Sequence, residues 1–481
     1  MTSAEYWQSY GDNAMMAMPY ADQILVEGRG CIVVDADGNK LLDLASGMFC
    51  CVLGHNHPKF VRRVVEQAER LVHTGTQFLS PPVLEAGFKL AQITPKSLNK
   101  SIFLSTGTEA NEFAFRLAKT FTGRTGIVGL SRGYYGTSLA TKSVSGLFKH
   151  NLRDSLPLVP ESIRLPITPQ CVNCFMKASS CEFPCLESVE EWVGDWNSVA
   201  AIIVEPILSA GGMLTPPPGY LAELRRISRR HGVLMIIDEA QTGFGRTGKW
   251  FAFEHHNIEP DILTLSKSIG NGFPVAAVVT TSEIADQVSA RGFWNLSSHQ
   301  SDPLGAAAVC AVIDIVQEEH LLDHAAKAGR YFSERLKDLS NRQQLIGNVR
   351  GLGLMIGFDL LVEDSVAEQA ANDFMYCCRQ RGVHLTFGYG CRSFRIIPPL
   401  VISTDEIDRA IDVIDESLTK VRLCDHAELR AYWPANPKTS RLWQRNTVSR
   451  VASALWHSPP QEWFERAKSL AGHKLGRSVG R

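Results

Sequence analysis

A series of short apolar runs, each stopping at a polar or charged residue, constrains this chain most. They are Ile102-Phe103-Leu104 before Ser105, Gly126-Ile127-Val128-Gly129-Leu130 before Ser131, Ile202-Ile203-Val204 before Glu205, Val233-Leu234-Met235-Ile236-Ile237 before Asp238, and Ile262-Leu263-Thr264-Leu265 before Ser266 and Lys267. Runs this short, with many β-branched residues, fit strands covered on both faces of a parallel sheet. Elsewhere apolar residues recur at helical spacing, as at Ala110, Phe113, Ala114, Leu117, Ala118 and Phe121. Strands alternating with helices predict an α/β fold: a mostly parallel sheet with helices on both faces. Ligands of such sheets bind beyond the carboxyl ends of the strands, where Asp238 and Lys267 are expected.

An amine and an acid arriving at one sheet edge suggest a shared cofactor. A lysine in a partly apolar pocket forms a Schiff base with pyridoxal phosphate, and an acid facing the ring nitrogen makes that ring an electron sink. The alternative is a helix-capping Asp238 and a solvated Lys267. The segment Ser105-Thr106-Gly107-Thr108-Glu109-Ala110-Asn111-Glu112 predicts a helix beginning near Thr108. Its free N–H groups and dipole favour a phosphate dianion, and Gly107 lets the backbone come close; an ordinary capped helix is the other reading. Tyr134, flanked by Gly133 and Tyr135-Gly136 after a strand, is placed to stack on a flat ring, or else packs in the core. Glu205 ends a further buried strand, and Gln241, three residues past Asp238, can reach a phenolic oxygen.

At this point the residues resemble the class III aminotransferases, pyridoxal-phosphate enzymes of fold type I, over roughly residues 20 to 420. The strongest block is Ile237-Asp238-Glu239-Ala240-Gln241-Thr242-Gly243-Phe244-Gly245-Arg246-Thr247-Gly248, continuing to Pro260-Asp261-Ile262-Leu263-Thr264-Leu265-Ser266-Lys267. The resemblance implies that Lys267 carries the Schiff base, Asp238 pairs with the ring nitrogen, Gln241 contacts the ring oxygen and Tyr134 stacks on the ring. Glu205-Pro206-Ile207-Leu208-Ser209-Ala210-Gly211-Gly212, Ser301-Asp302-Pro303-Leu304 and Phe394-Arg395-Ile396-Ile397-Pro398-Pro399-Leu400 look most like dialkylglycine decarboxylase. By that likeness Arg395 grips the substrate α-carboxylate with its bidentate fork. Ser298 matches a position reaching the partner subunit's phosphate, which implies an obligate homodimer. Two departures stand out. Ser46-Gly47-Met48-Phe49 replaces a Ser-Gly-Gln-Met stretch whose glutamine holds a departing carboxylate, and Tyr134-Tyr135 replaces a Trp-His pair. Without that glutamine, transamination between an amino acid and a 2-oxo acid is expected ahead of decarboxylation-dependent transamination. Lyase, epimerase or carbon–carbon bond chemistry and a catalytically silent binding subunit remain alternatives. Met48, Phe49, Tyr135 and Leu296 are candidates to line the substrate pocket.

The chain has 481 residues, 44% hydrophobic and 21% charged, enough for two or three structural units. Lys plus Arg total 49 against 50 for Asp plus Glu, so nothing in the charge suggests nucleic acid or an anionic membrane surface. The start lacks a basic and apolar leader pattern and no apolar run is long enough to span a bilayer, so a cytoplasmic enzyme is expected. Most of the 12 cysteines then read as reduced thiols. Cys171, Cys174, Cys181 and Cys185, in a Pro-flanked insertion at about 166–190, have spacing compatible with a structural zinc site; free thiols or one labile disulfide are the alternatives. Residues 1–50 are expected to pack with the small domain, 51–310 to form the large cofactor domain, and 311–421 a smaller α+β domain. Residues 422–481, with Trp433, Trp443, Trp456 and Trp463, form an extension that is either packed or an interaction arm.

Overall fold

The computed structural model describes residues 1–15, 20–147, 158–167, 195–363 and 365–423, with Leu186, Val189 and Val193 placed singly. Cys171, Cys174, Cys181 and Cys185 lie outside the described residues, as do the four tryptophans beyond residue 423. Two units are distinguished, Met1–Ile24 with Ala427–Arg481, and Leu25–His426. In the first, the helix Ser3–Tyr10 starts with a capping box: Thr2 Oγ1 accepts from Glu5 N at 3.2 Å, and Glu5 Oε2 accepts from Thr2 N at 2.7 Å.

The second unit opens with β1 (Leu25–Arg29), β2 (Ile32–Asp35) and β3 (Lys40–Asp43), joined antiparallel in chain order. Gly38, at φ 83°, makes the β2–β3 turn, and the Asp35 carboxylate accepts from Asp37 N and Asn39 N at 3.0 and 2.8 Å. The main sheet contains β4 (Leu98–Leu104), β5 (Gly126–Leu130), β6 (Ser162–Leu165), β7 (Val199–Val204), β8 (Leu234–Asp238), β9 (Ile262–Leu265) and β10 (Ala276–Thr281). Its seven strands run in the order β4-β10-β9-β8-β7-β5-β6. From β9 through β6 every pairing is parallel, while β10 runs antiparallel to both its neighbours. The carboxyl ends of β4, β5, β7, β8 and β9 therefore share one edge.

Burial explains why these runs form the centre. Every residue of β7, β8 and β9 is buried. One face meets the helix Gly107–Thr122, whose Ala110, Phe113, Ala114, Leu117 and Ala118 pack with Ile203, Ile236, Ile262 and Val278. Each large aliphatic side chain removed from water there contributes about 1.5–3 kcal/mol. The helix Pro303–Glu318 packs against Pro58–Arg70 and Pro81–Ile93.

The remaining strands are β11 (Ile346–Leu352), β12 (Met355–Leu360), β13 (Val383–His384), β14 (Thr386–Phe387) and β15 (Ser393–Ile396). An antiparallel sheet β11-β12-β15-β14 forms with them, flanked by the helices Leu321–Arg342, Ala367–Gln380 and Thr404–Leu423. β13 instead joins β3 in parallel, and Leu44 N donates to His384 O at 2.8 Å. Residues of the first sheet and of the late chain are thus hydrogen-bonded together.

Candidate active site

Lys267 follows β9 after one residue and begins a short 3-10 turn at φ 50°, a left-handed conformation costly to a residue with a Cβ. Asp238 is the last residue of β8, and Glu205 follows β7 directly. All three line a cavity of about 520 Å³ at the carboxyl edge of the sheet. Gly107, Thr108, Tyr134, Gln241, Met48, Tyr135 and Arg395 line it too. Among the residues expected from sequence, Ser298 and Leu296 are not part of this lining; both are exposed.

The Asp238 carboxylate is fixed from two sides. Asn111 Nδ2 donates to Oδ2 at 2.8 Å, and Ala240 N donates to Oδ1 at 2.9 Å. Burial raises its pKa, against the lowering effects of Asn111, Lys267 and the Ala240 N–H. Asn111 was not assigned a role from sequence, though its signal was present: a polar residue on the buried face of an otherwise apolar helix. Its Nδ2 also donates to Tyr135 O at 2.8 Å, which ties this helix to the loop after β5.

One end of the cavity is the start of that helix. Thr106 caps it, accepting from Glu109 N at 3.2 Å, while Glu109 Oε2 accepts from Ser105 N at 2.9 Å. The first-turn N–H groups of Gly107 and Thr108 have no helical acceptor behind them, and both residues line the cavity, an arrangement suited to an anion. Thr108 Oγ1 accepts from Thr137 N at 3.2 Å, and a Cβ on Gly136 would sit 2.5 Å from that oxygen. Gly136, at φ 136°, is thus required for the loop to close on the helix.

The other walls carry aromatic and charged groups. Tyr134 is half-buried, and its N–H donates to Glu205 Oε1 at 2.8 Å. Tyr135 is only 1% exposed; its hydroxyl accepts from Leu130 N at 3.3 Å, and a Cβ on Gly129 would meet its ring at 3.0 Å and one on Gly133 its hydroxyl oxygen at 2.2 Å. That ring is committed to packing. Glu205 is pushed up to about 8 by burial and by Asp238, against the Tyr134 N–H and Lys267. Arg395, on β15 opposite Gly357, places its guanidinium 4.5 Å above the Phe49 ring and donates Nη2 to Phe387 O at 3.2 Å. Its Nε has no acceptor among the described residues, and burial lowers the guanidinium pKa to about 10 against the pull of Glu205.

Arg395 is held indirectly as well. Two residues earlier on β15, Ser393 Oγ donates to Asp359 Oδ1 at 2.7 Å, and Arg350 Nη2 bonds the same carboxylate oxygen at 2.6 Å. Arg350 Nε and Nη2 also donate to Gly212 O at 2.8 and 2.6 Å. This network joins the strand of Arg395 to the turn after Glu205, whose Ala210 lines the cavity.

The family model "Aminotransferase class-III" matches residues 15–418. An uncharacterized aminotransferase of Schizosaccharomyces pombe is 38% identical over 83% of this chain and 91% of its own length. An acetylornithine aminotransferase of Methanopyrus kandleri is 36% identical over 87% and 99%, and a leucine/methionine racemase of Thermococcus litoralis 35% identical over 84% and 92%. The structure of a thermostable (S)-enantioselective omega-transaminase from Thermomicrobium roseum superposes with a TM-score of 0.78 at 28% identity, covering 88% of this chain and 99% of that one. Sheet order, the lysine and acid at the sheet edge and these similarities agree: the chain belongs to the class III aminotransferases of fold type I.

Proposed function

We propose that this aminotransferase binds pyridoxal phosphate in the cavity and exchanges an amino group between an α-amino acid and a 2-oxo acid. The observation that carries this reading is the convergence of Lys267, Asp238 and the Gly107–Thr108 helix start on one cavity. The residues present fit the cofactor. The helix start and Gly136 make a cradle for its phosphate, and the buried Gln241 Oε1 has no partner among the described residues. Asp238 is a buried carboxylate that a ring cation would complete.

When bound, pyridoxal phosphate supplies an aldehyde to take up the amino group and a conjugated ring to accept electrons from a breaking Cα bond. Lys267 Nζ would hold the cofactor covalently, and its amine is the base that takes the proton from the Cα of the amino donor and supplies one to the Cα formed from the 2-oxo acid. Asp238, fixed by Asn111 and Ala240, would pair as a carboxylate with the ring nitrogen. Tyr134 would stack on the ring, with Gln241 and Glu205, which line the same cavity, supporting it. Arg395 takes the α-carboxylate on its free donors and so orients Cα toward Lys267. Met48, also on the cavity wall, has only a thioether to offer a second carboxylate position. This favours amino transfer over decarboxylation.

Homodimer formation, with Ser298 reaching the partner's phosphate site, is the assembly this reading implies. The exposed Phe78, Leu79, Leu84, Phe88, Trp294 and Leu296 are in keeping with a covered surface. A cytoplasmic location rests on the sequence alone, and among the described residues no helix is long and apolar enough to cross a membrane.

The test is to add amino donors singly to purified holoenzyme and follow the cofactor absorbance. Conversion to its amino form by an α-amino acid, reversed by a 2-oxo acid, is expected; no conversion by any α-amino acid would reject the reading. Carbon dioxide release from aminoisobutyrate with pyruvate would favour decarboxylation instead. Loss of optical activity without any 2-oxo acid would favour racemisation, the activity named for the Thermococcus relative.

A further inference from the structure

Phe49 keeps a large ring where its backbone favours glycine. Its φ is 65°, a left-handed conformation that costs free energy in any residue with a Cβ, and the same loop places a glycine two positions earlier, Gly47 at φ 68°. A side chain retained against such strain points to a use for that side chain. The ring is buried among Ala45, Ile207, Met213, Met355 and Ile397, and it lines the cavity beneath Arg395, whose guanidinium carbon stands 4.5 Å above the ring centroid.

Hydrogen bonds hold ring and guanidinium in register. Ser46 Oγ donates to Ile397 O at 2.6 Å, and Ile397 N donates to Leu44 O at 2.7 Å, which ties the loop of Phe49 to the chain two residues past Arg395. Phe49 N donates to Ala45 O at 2.8 Å, and Phe49 O accepts from the hydroxyl of Ser268 at 3.4 Å. Ser268 is the neighbour of Lys267, so one residue touches the arginine with its ring and the segment of the lysine with its carbonyl. A guanidinium can be held by an anion or by an aromatic face. A protein carboxylate would occupy the N–H donors along its edge, the same donors a substrate carboxylate needs. A ring attracts the cation from below and takes up none of them. On Arg395 Nη2 serves Phe387 O, while Nε has no acceptor among the described residues.

We propose that Phe49 is the positioning residue of the carboxylate clamp: its ring face holds the Arg395 guanidinium in one orientation with the edge donors open, and so sets the preference for substrates that carry a carboxylate. The inference rests on the reading of Arg395 as the group that takes the α-carboxylate. Without the attraction of the ring the long arginine side chain populates other rotamers, and carboxylate affinity falls in proportion to the oriented fraction that is lost.

The test is calorimetric titration of the holoenzyme with hexanoate, a carboxylate that has no amine to react. Phe49 is replaced in turn by phenylalanines carrying one, two and three ring fluorines, which withdraw charge from the ring face and change its size little. Kd for hexanoate rises stepwise with the number of fluorines, reaching about three- to tenfold with three. Phe49→Leu, apolar but without a ring face, weakens binding at least as much. A Kd indifferent to the number of fluorines, or a folded Phe49→Leu protein that binds hexanoate as tightly as the wild type, overturns the proposal. Arg395→Ala tells the two possible failures apart. If that variant binds hexanoate like the wild type, the clamp reading fails and this inference with it; if it loses binding while the fluorine series stays flat, the inference alone fails. Should Phe49→Leu not fold, the fluorine series decides.

Discussion

Lys267 sits at φ 50°, and neighbouring loops repeat that strain at Ser46, Phe49 and Phe244 with φ of 48°, 65° and 58°. Such conformations cost of order 1 kcal/mol each, so the surrounding packing must impose them. Single residues were the most legible part of the sequence. Asp238, Lys267 and Gly107 end or follow apolar runs, and a chemical requirement marks each. Tyr135 was less legible, because nothing in Tyr134-Tyr135 tells which ring turns to the cavity and which to Gly129 and Gly133. Replacing Arg395 with Ala should raise KM for α-amino acids roughly ten- to hundredfold, the worth of a charge-assisted hydrogen-bonded contact, and leave amines without a carboxylate unaffected; steady-state kinetics with both donor classes checks this. Glu205 gives a pH prediction. In the folded, cofactor-free protein it holds a proton that the unfolded chain has released, since its pKa rises from 4.5 to about 8. Stability therefore falls as pH rises across that window, and Glu205→Gln should flatten the change in melting temperature with pH. An unaltered slope would show that Glu205 is not the group responsible.

Elements were legible where burial was complete and obscure where it was partial. β7, β8 and β9 are buried throughout and appear in the sequence as continuous apolar runs. β4 extends back to Leu98 through Asn99, Lys100 and Ser101, whose exposed or half-exposed side chains hide the strand from any reading of hydrophobicity. β13 and β14, two residues each, carry no period at all, and only their partners β3 and β15 define them. Packing between elements was equally hidden. Gly329, inside the helix Leu321–Arg342, would place a Cβ 2.1 Å from the backbone of Gly353 in the turn between β11 and β12. Gly329→Ala should therefore destabilise the protein by about 1–3 kcal/mol through overpacking, despite the better helix propensity of alanine. Denaturant unfolding checks the sign, which intrinsic propensity alone would reverse.

For the whole molecule, one edge of the seven-stranded sheet gathers the ends of β4, β7, β8 and β9, and the β11–β15 sheet supplies Arg395 to the same cavity. This convergence was foreseeable from alternating strands and helices, but the antiparallel insertion of β10 was not, because strand direction leaves no trace in composition. The proposed homodimer belongs at this scale. Light scattering of the holoenzyme should give twice the mass of the chain, and Phe78→Glu with Leu296→Glu should shift it toward the monomer; a monomeric wild type would exclude the assembly. The central claim is a covalent bond at one lysine. Purified holoenzyme reduced with borohydride and digested should carry the cofactor's mass on the peptide containing Lys267, and Lys267→Ala should carry none. An adduct on another lysine, or no adduct in the wild type, would contradict the account.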